Sequence, residues 1–364
     1  MKHFGILLGA ALLLPCVALC EGVTLRTYTP FADMDPGAQG WEEILQRWST
    51  QTGNTADDYS GAQDETWFSE LNTALDAGEA DLVIVPVGSG LTAGKLTTAD
   101  ELAAAGAQGV RSLADMQEQD GTILLTPVRL GYETLFVNTD VLAQAGLAAP
   151  QSWEDLVVDC AVLAQMGVTP VANSLTEWPE TVLDCAALIA APAESYGSED
   201  SLNGAASVLE SLVAVGAFGT DPWNATDEAC SNAFLTGQAA MRFDSWDFAQ
   251  NVSAERADSV SAVPLFGMDG SVRSALPGAG RLGLTVSRAA LADTSKREAV
   301  LSLVSAILSA EGTAGLMTGA DGTLADAMAQ LNLSCTGLCG VLYDVNPDTF
   351  DDWAEKTVSG LMTE

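Results

Sequence analysis

Histidine is almost absent from this sequence. His3 is the single histidine among the 364 residues, and it lies in an apolar N-terminal stretch. Without a later imidazole, the chain cannot assemble a Ser-His-Asp triad, a Cys–His dyad or a histidine metal site. Glycosidase activity by a pair of carboxyl groups stays a possible function, because the chain has 49 acidic residues. No spacing in the sequence selects two of them. No feature of the sequence requires catalysis.

Cationic residues are also scarce. The chain has 14 Lys and Arg against 49 Asp and Glu, which gives a formal net charge of −35. Such a charge repels nucleic acid and anionic lipid surfaces, so neither is expected as a partner. An anionic ligand would need its own basic pocket, a neutral ligand is indifferent to this field, and a cationic one is attracted. The alternative explanation of this charge is a solvated acidic surface that only keeps the protein in solution.

Long apolar runs are missing after the first twenty residues, where no run reaches the length of about 18 that a membrane span needs. Residues 1–20 are typical of an export signal, with Lys2 and His3 before an apolar core. The stretch "VALC" at 17–20 resembles a lipobox, which would make Cys20 the lipid-anchored residue. Leu19 is larger than that pattern prefers, so ordinary cleavage without a lipid stays open. We predict an exported protein, at the extracellular membrane face or in the periplasm.

Cysteines beyond the signal are few and odd in number. The motif "CTGLC" separates its two cysteines by three residues rather than by the two of a redox or zinc motif. A local disulfide in this motif and five free thiols are both compatible with the sequence. The five are Cys160, Cys185, Cys230, Cys335 and Cys339.

Alternating strand and helix patterns predict an α/β fold. "VTLRTYTP" (23–30) predicts a strand, and Trp41, Ile44 and Trp48 form one stripe of a following helix, where we expect core tryptophans. The polar stretch 54–63 reads poorly as a strand. Further helices are predicted at 64–78 and 152–166, with Asp64 and Ser152 as their N-caps, and at 179–191, 202–215, 226–236, 295–310, 323–331 and 348–362. Further strands are predicted at 81–87 (buried and parallel), 122–128, 134–138, 169–173, 239–244, 261–266 and 281–287.

A glycine motif, "GAGRLG" at 278–283, matches the dinucleotide fingerprint in letters only. That fingerprint needs a helix after the glycines, so that phosphate meets the helix N-terminus. Here the strand-like "LGLTVS" follows instead. We therefore predict no dinucleotide site, although a glycine turn still allows the backbone to approach a ligand.

Taken in order, several segments resemble one known family. They are "VTLRTYTPF", "ETWFSELNTALDAGEADLVIV", "TPVRLGYETLFVNTDVLAQAGLAAPQSWEDL", "GVTPVANSLTEWP", "AFLTGQAAMRFDSW" and "LGLTVSRAALADTSKREAVLSLVSAILSAEG". The chain is similar over nearly its whole length to the extracellular solute-binding proteins of bacterial ABC importers, in the sugar-binding group that includes the maltose-binding protein. The resemblance implies a non-enzymatic, cofactor-free monomer that captures a solute and delivers it to a membrane permease.

The resemblance also implies a fold: two α/β lobes of the type II periplasmic-binding-protein kind, with ligand held in the cleft between them. Three chain crossings form the hinge of that fold. They are expected near 126–129, 262–265 and 310–312. The N-terminal lobe would comprise 21–127 plus 264–311, and the C-terminal lobe 128–263 plus 312–364.

Candidate ligand contacts follow from the same resemblance. Trp246 and Trp178 are expected to stack on a sugar ring, whose C–H face is apolar, while Glu177 and Asp244 bind its hydroxyl groups. Trp67 is a further candidate, and core packing is the alternative for it and for the other two tryptophans. A plain surface loop is the alternative for Asp244 and for the remaining candidates, which are Asp33, Asp35, Arg129, Tyr132, Gly278, Gly280 and Arg281.

The expected ligand is a neutral oligosaccharide, because the protein is so acidic. A cationic ligand such as a polyamine is the alternative within the binding class, since aromatic rings and carboxylates also hold cations. A secreted glycoside-active enzyme is the alternative from another class.

Overall fold

One sheet of eight strands runs through the molecule, in the order β2-β1-β3-β9-β4-β6-β5, with β7 also paired to β4. The structure, a computed structural model, describes residues 22–32, 34–91, 93–117, 121–177, 179–318, 322–345 and 350–363. The strands are β1 (Thr24–Tyr28), β2 (Thr55–Asp58), β3 (Leu82–Pro86), β4 (Thr126–Asn138), β5 (Thr169–Val171), β6 (Ala239–Ser245), β7 (Val260–Val263), β8 (Ala275–Leu276), β9 (Gly278–Val286) and β10 (Gly337–Leu338). A separate two-stranded sheet pairs β8 with β10.

The long strand β4 joins the two halves of the sheet. Its first part pairs with β9, as far as Tyr132, and its second part, from Glu133 onward, pairs with β6 and β7. The two separate strands predicted at 122–128 and 134–138 are therefore wrong, because the chain stays extended through 129–133. The strand at 81–87 was predicted to be parallel; it is parallel to β1 but antiparallel to β9.

The polar segment 54–63 contains the edge strand β2, which the sequence did not predict. It pairs in parallel with β1. Side-chain hydrogen bonds replace apolar packing along this pair: Thr24 with Thr55 at 2.8 Å, and Thr27 Oγ1 to Asp58 Oδ1 at 2.6 Å. An edge strand exposes most of its side chains, so polar residues suit it.

Fourteen helices flank the sheet in the described part of the chain. Helix ends follow the capping rules: Asp64 and Ser152 accept hydrogen bonds from Trp67 N and Asp155 N, which confirms both as the predicted N-caps. The helices are α1 (Ala38–Thr52), α2 (Glu65–Ala77), α3 (Ala99–Ala105), α4 (Thr139–Gln144), α5 (Trp153–Gln165), α6 (Glu180–Ala190), α7 (Glu199–Ala214), α8 (Asp227–Leu235), α9 (Arg288–Ala292), α10 (Arg297–Ile307), α11 (Ala310–Thr318), α12 (Thr323–Ser334), α13 (Leu342–Val345) and α14 (Phe350–Thr363).

Two main apolar clusters form the core. The smaller one packs α1 and α10 against β1, β3 and β9, and it buries Trp41 and Trp48 as the helical stripe predicted. The larger one surrounds β4, β6 and β7 and includes α5, α6 and α7. Helices α1 and α11 cross backbone to backbone, because a Cβ on Gly40 would lie 2.2 Å from the carbonyl oxygen of Gly315.

The five described cysteines are free thiols. In the "CTGLC" motif the chain is extended, since β10 pairs with β8 and the flanking amides of Thr336 and Cys339 continue that ladder. Four extended residues span roughly 13 Å, whereas a disulfide needs Cα atoms within about 7 Å. This geometry excludes the local Cys335–Cys339 bridge in the observed conformation.

No single helix in the described ranges is long and apolar enough to cross a membrane. Helices α10 and α11 meet that criterion only as a pair, and they are bent by 63° at their junction.

Candidate ligand-binding site

A depression of about 240 Å³ opens where β1 and β3 end and β9 begins. Ligands of α/β sheets commonly bind at the carboxyl ends of the strands. Pockets for drug-sized molecules usually measure about 300–1,000 Å³, so this depression suits a small solute or one part of a longer one. Its lining consists of Pro30, Pro86, Arg129, Gly131, Trp246, Ala279, Gly280, Arg281 and Leu282.

Glycine backbone forms one wall of this depression, where β4 and β9 approach closely. A Cβ on Gly131 would lie 2.1 Å from Ala279 O, and one on Gly278 would lie 2.1 Å from Gly131 O. Gly278 and Gly280 also have positive φ values of 139° and 85°, which favour glycine. The pairing of the two strands is irregular here, with register shifts on either side of Arg129 and Leu130. Gly280 lines the depression and Gly278 lies beside it, both in strand β9 rather than in the expected loop, and their contact with a ligand stays a prediction.

Arg129 and Trp246 contact each other at this site. The Arg129 Cζ lies over the Trp246 ring at 4.9 Å from its centroid. Arg129 also forms a two-pronged ion pair with Asp35, with Nη1–Oδ1 and Nη2–Oδ2 distances of 2.7 Å. The indole is only partly buried, because Trp246 starts the 3-10 turn Trp246–Asn251 directly after β6. The structure therefore brings together three of the predicted residues.

The second arginine of the lining is paired as well. Arg281 Nε donates to Asp115 Oδ2 at 2.7 Å, and Arg281 Nη2 donates to the carbonyl of Leu338 at 3.2 Å. The other described residues that line the depression are uncharged. Each positive charge at the wall is thus balanced by its own carboxylate.

Asp244 and Glu177 lie elsewhere. Asp244 shares a more open depression with Arg242 and Asp227, and its Oδ2 accepts from Arg242 Nε at 2.5 Å. Burial raises the pKa of Asp244, and the Arg242 guanidinium opposes that rise. Glu177 is exposed, and its Oε2 accepts from the backbone N–H of Asp227 at 3.0 Å, at the start of α8. Both carboxylates already have protein partners.

Two further predicted residues belong to the core. Tyr132 is fully buried and donates its hydroxyl to Met328 O at 2.9 Å. Burial raises its pKa well above the usual range. Trp67 is 8% exposed and donates Nε1–H to Tyr59 O, and its ring packs edge-to-face against Tyr28 and Phe68. In the observed conformation neither ring faces the depression, and the core alternative describes Trp67 well.

Asp33, Trp178 and Cys20 lie outside the described residues. Several residues of the lining were not predicted from the sequence. Pro30 and Pro86 directly end predicted strands, and that position was the available signal. Asp115, which pairs with Arg281 across 166 residues of sequence, offered no local signal.

Comparisons with known proteins identify the class of this chain. The model of the family "Bacterial extracellular solute-binding protein" matches residues 32–314. The chain therefore belongs to that family, and the predicted resemblance is confirmed. It is the extracellular solute-binding component of an ABC importer. No curated protein sequence matches the chain significantly.

Solved structures share its fold. The bacterial solute receptor AcbH is 15% identical, with a TM-score of 0.58 over 94% of this chain and 97% of that one, and is described as having an exclusive preference for β-D-galactopyranose. A probable secreted solute-binding lipoprotein from Streptomyces coelicolor is also 15% identical (TM-score 0.59, 94% and 98%). RafE from Streptococcus pneumoniae is 14% identical (TM-score 0.56, 94% of each chain). At such identities the likeness confirms the α/β fold class alone.

Proposed function

We propose that the depression beside Trp246 binds a neutral carbohydrate. The observation that carries this proposal is a partly exposed indole beside a wall in which both arginines are already paired with carboxylates. The C–H face of a pyranose packs well on an aromatic ring, while its hydroxyl groups need hydrogen-bond partners. Arg129 covers one face of the indole, so the sugar would use the opposite face. The galactopyranose preference described for AcbH agrees with this ligand class.

A polyamine fits the described lining less well. A cationic ligand would need carboxylates whose charge is not already balanced, and Asp35 and Asp115 both hold arginines. The large negative charge of the chain would still attract such a ligand from a distance. Salt dependence separates the two ligands, because salt weakens the binding of a cation and leaves the binding of a neutral sugar nearly unchanged.

The mechanism proposed is capture by closure rather than catalysis. Pro30, Pro86 and 279–282 belong to the predicted N-terminal lobe, whereas Gly131 and Trp246 belong to the predicted C-terminal lobe. A solute in the depression would contact both lobes, and it would favour the closed arrangement by its higher affinity for that state. The closed protein would then deliver the solute to a membrane permease, acting as an exported monomer that carries no enzymatic activity. A lipid anchor at Cys20 is part of this proposal.

Calorimetric titration of Trp246→Ala tests the proposed site. We expect the affinity for the bound sugar to fall by roughly 2–4 kcal/mol, because the stacking surface is lost. Trp223→Ala is the matched control, since Trp223 is also partly buried and lies outside the lining. That variant should bind within about threefold of the original protein. An unchanged affinity in Trp246→Ala would refute the assignment of the site.

A further inference from the structure

Arg129 contacts three separate segments of the chain. It lies in β4 and binds Asp35, in the loop between β1 and α1. Its Nη1 also donates to the carbonyl of Leu316 in α11 at 3.2 Å. Its guanidinium lies 5.2 Å from the centroid of Phe31 and 4.9 Å from that of Trp246. One side chain thus links the loop after β1, helix α11 and the turn after β6.

These contacts leave little of Arg129 for a solute. The residue is 8% exposed, and both Nη atoms are engaged by protein oxygens. The Asp35 carboxylate is nearly as enclosed, with 16% of its side chain exposed. A lysine in this position would keep the charge but lose the planar fork and the stacking on two rings. The cluster is therefore specific for arginine.

Arg129 connects residues that lie on opposite sides of the point where β4 changes its paired strands. β4 changes partners from β9 to β6 and β7 between Tyr132 and Glu133. Phe31 and Asp35 lie in the half of the molecule before that change, and Trp246 follows β6 in the half after it. The guanidinium therefore holds the indole in a fixed place relative to the loop that borders the same depression.

We propose that Arg129 is a positioning residue, which orients the Trp246 indole against the Phe31–Asp35 loop and so sets the affinity of the site without binding the solute itself. The affinity part of this inference rests on the proposed function, whereas the orientation of the indole does not. Protein molecules in which the indole is misplaced would bind weakly, and the apparent affinity falls in proportion to the competent fraction.

The test compares Arg129→Lys and Asp35→Asn with the control Arg273→Lys. Arg273 is equally buried and pairs with Asp269, but it lies outside the depression. Acrylamide quenching of Trp246 fluorescence is measured in the ligand-free full chain. The Trp246 signal is the difference between the emission of each protein and that of the same protein carrying Trp246→Phe. We expect quenching to rise about twofold in Arg129→Lys and in Asp35→Asn, and sugar affinity to fall at least about tenfold in Arg129→Lys. Arg273→Lys should change neither quantity.

Unchanged quenching of Trp246 in both site variants would overturn the inference. A fall in affinity with unchanged quenching would also overturn it, because Arg129 would then be a direct contact. If the original protein binds no sugar, the proposed function fails, and the quenching comparison still decides the role of Arg129. Asp35→Asn, which keeps the arginine but weakens the ion pair that orients its guanidinium, provides the answer if Arg129→Lys does not fold.

Discussion

Replacing Asp184 with Asn should stabilise the protein at neutral pH and leave its stability nearly unchanged in acid. Asp184 lies in α6 and is 2% exposed. Its Oδ1 accepts hydrogen bonds from Tyr196 Oη and from Leu342 N, both at 2.7 Å. The carboxyl group of Glu133 lies beside it, and within the described part of the chain Glu133 Oε2 has no hydrogen-bond partner.

The magnitude follows from the pKa of Asp184. Burial raises this pKa to about 6 from an ordinary value of 3.8, and it also raises the pKa of Glu133, with the charge of Asp184 adding to that rise. A carboxyl group whose pKa is higher in the folded than in the unfolded protein stabilises the folded state most at pH values below its unfolded-state pKa. This stabilisation is lost as the pH rises through its folded-state pKa. A shift of this size corresponds to roughly 3 kcal/mol of lost stability above pH 7.

The asparagine variant removes this loss, because its amide does not ionise. Its Oδ1 can still accept both hydrogen bonds, and its Nδ2 can donate to Glu133. Urea unfolding at about pH 3, below the unfolded pKa, and at about pH 7.5 should show a gain in the free energy of unfolding only at the higher pH. Glu210→Gln, which removes an exposed carboxylate of α7, is the control for the general effect of lowering the net charge. Equal differences between Asp184→Asn and the original protein at both pH values would refute the reasoning.

Two further predictions concern packing. Gly40→Ala should destabilise the fold by about 2–4 kcal/mol in urea unfolding, because its Cβ would lie 2.2 Å from Gly315 O at the crossing of α1 and α11. Stability equal to that of the original protein would contradict this, since it would show that the two helices can move apart without cost. Trp67→Ala should lower the free energy of unfolding by about 3–5 kcal/mol, because its ring fills the core. Its sugar affinity in calorimetry should stay within about threefold of that of the original protein. A large loss of affinity in the folded variant would show that Trp67 belongs to the ligand site.

Local signals explain what the sequence predicted well. The apolar stripe of α1 and the N-caps Asp64 and Ser152 depend on residues within one or two helical turns, and the structure confirms them. Edge strand β2 depends on side-chain hydrogen bonds to β1, 31 residues away, so its polar sequence gave no strand signal. The two strands predicted at 122–128 and 134–138 are one strand, β4, and the missing side chain of Gly131 within it permits the close approach of β9.

The candidate site was predictable only in part. Trp246, directly after β6, and Arg281, in β9, both line the depression, and their contact with a ligand stays a prediction. Tyr132 was expected beside them, but the register shift between Leu130 and Tyr132 alters which side chains of β4 face the depression. Irregular pairing of this kind depends on tertiary contacts between distant strands. The lobe boundaries and the three-crossing hinge stay predictions.

The most direct measurement is calorimetric titration of the chain from Gly22 onward with neutral mono- and oligosaccharides, at low and at high salt, with spermidine in parallel. The account predicts saturable binding of one class of sugar, with a Kd of about 1 μM that changes little with salt. No measurable binding of any sugar, together with spermidine binding that high salt abolishes, would contradict the account and would assign the depression to a cationic ligand.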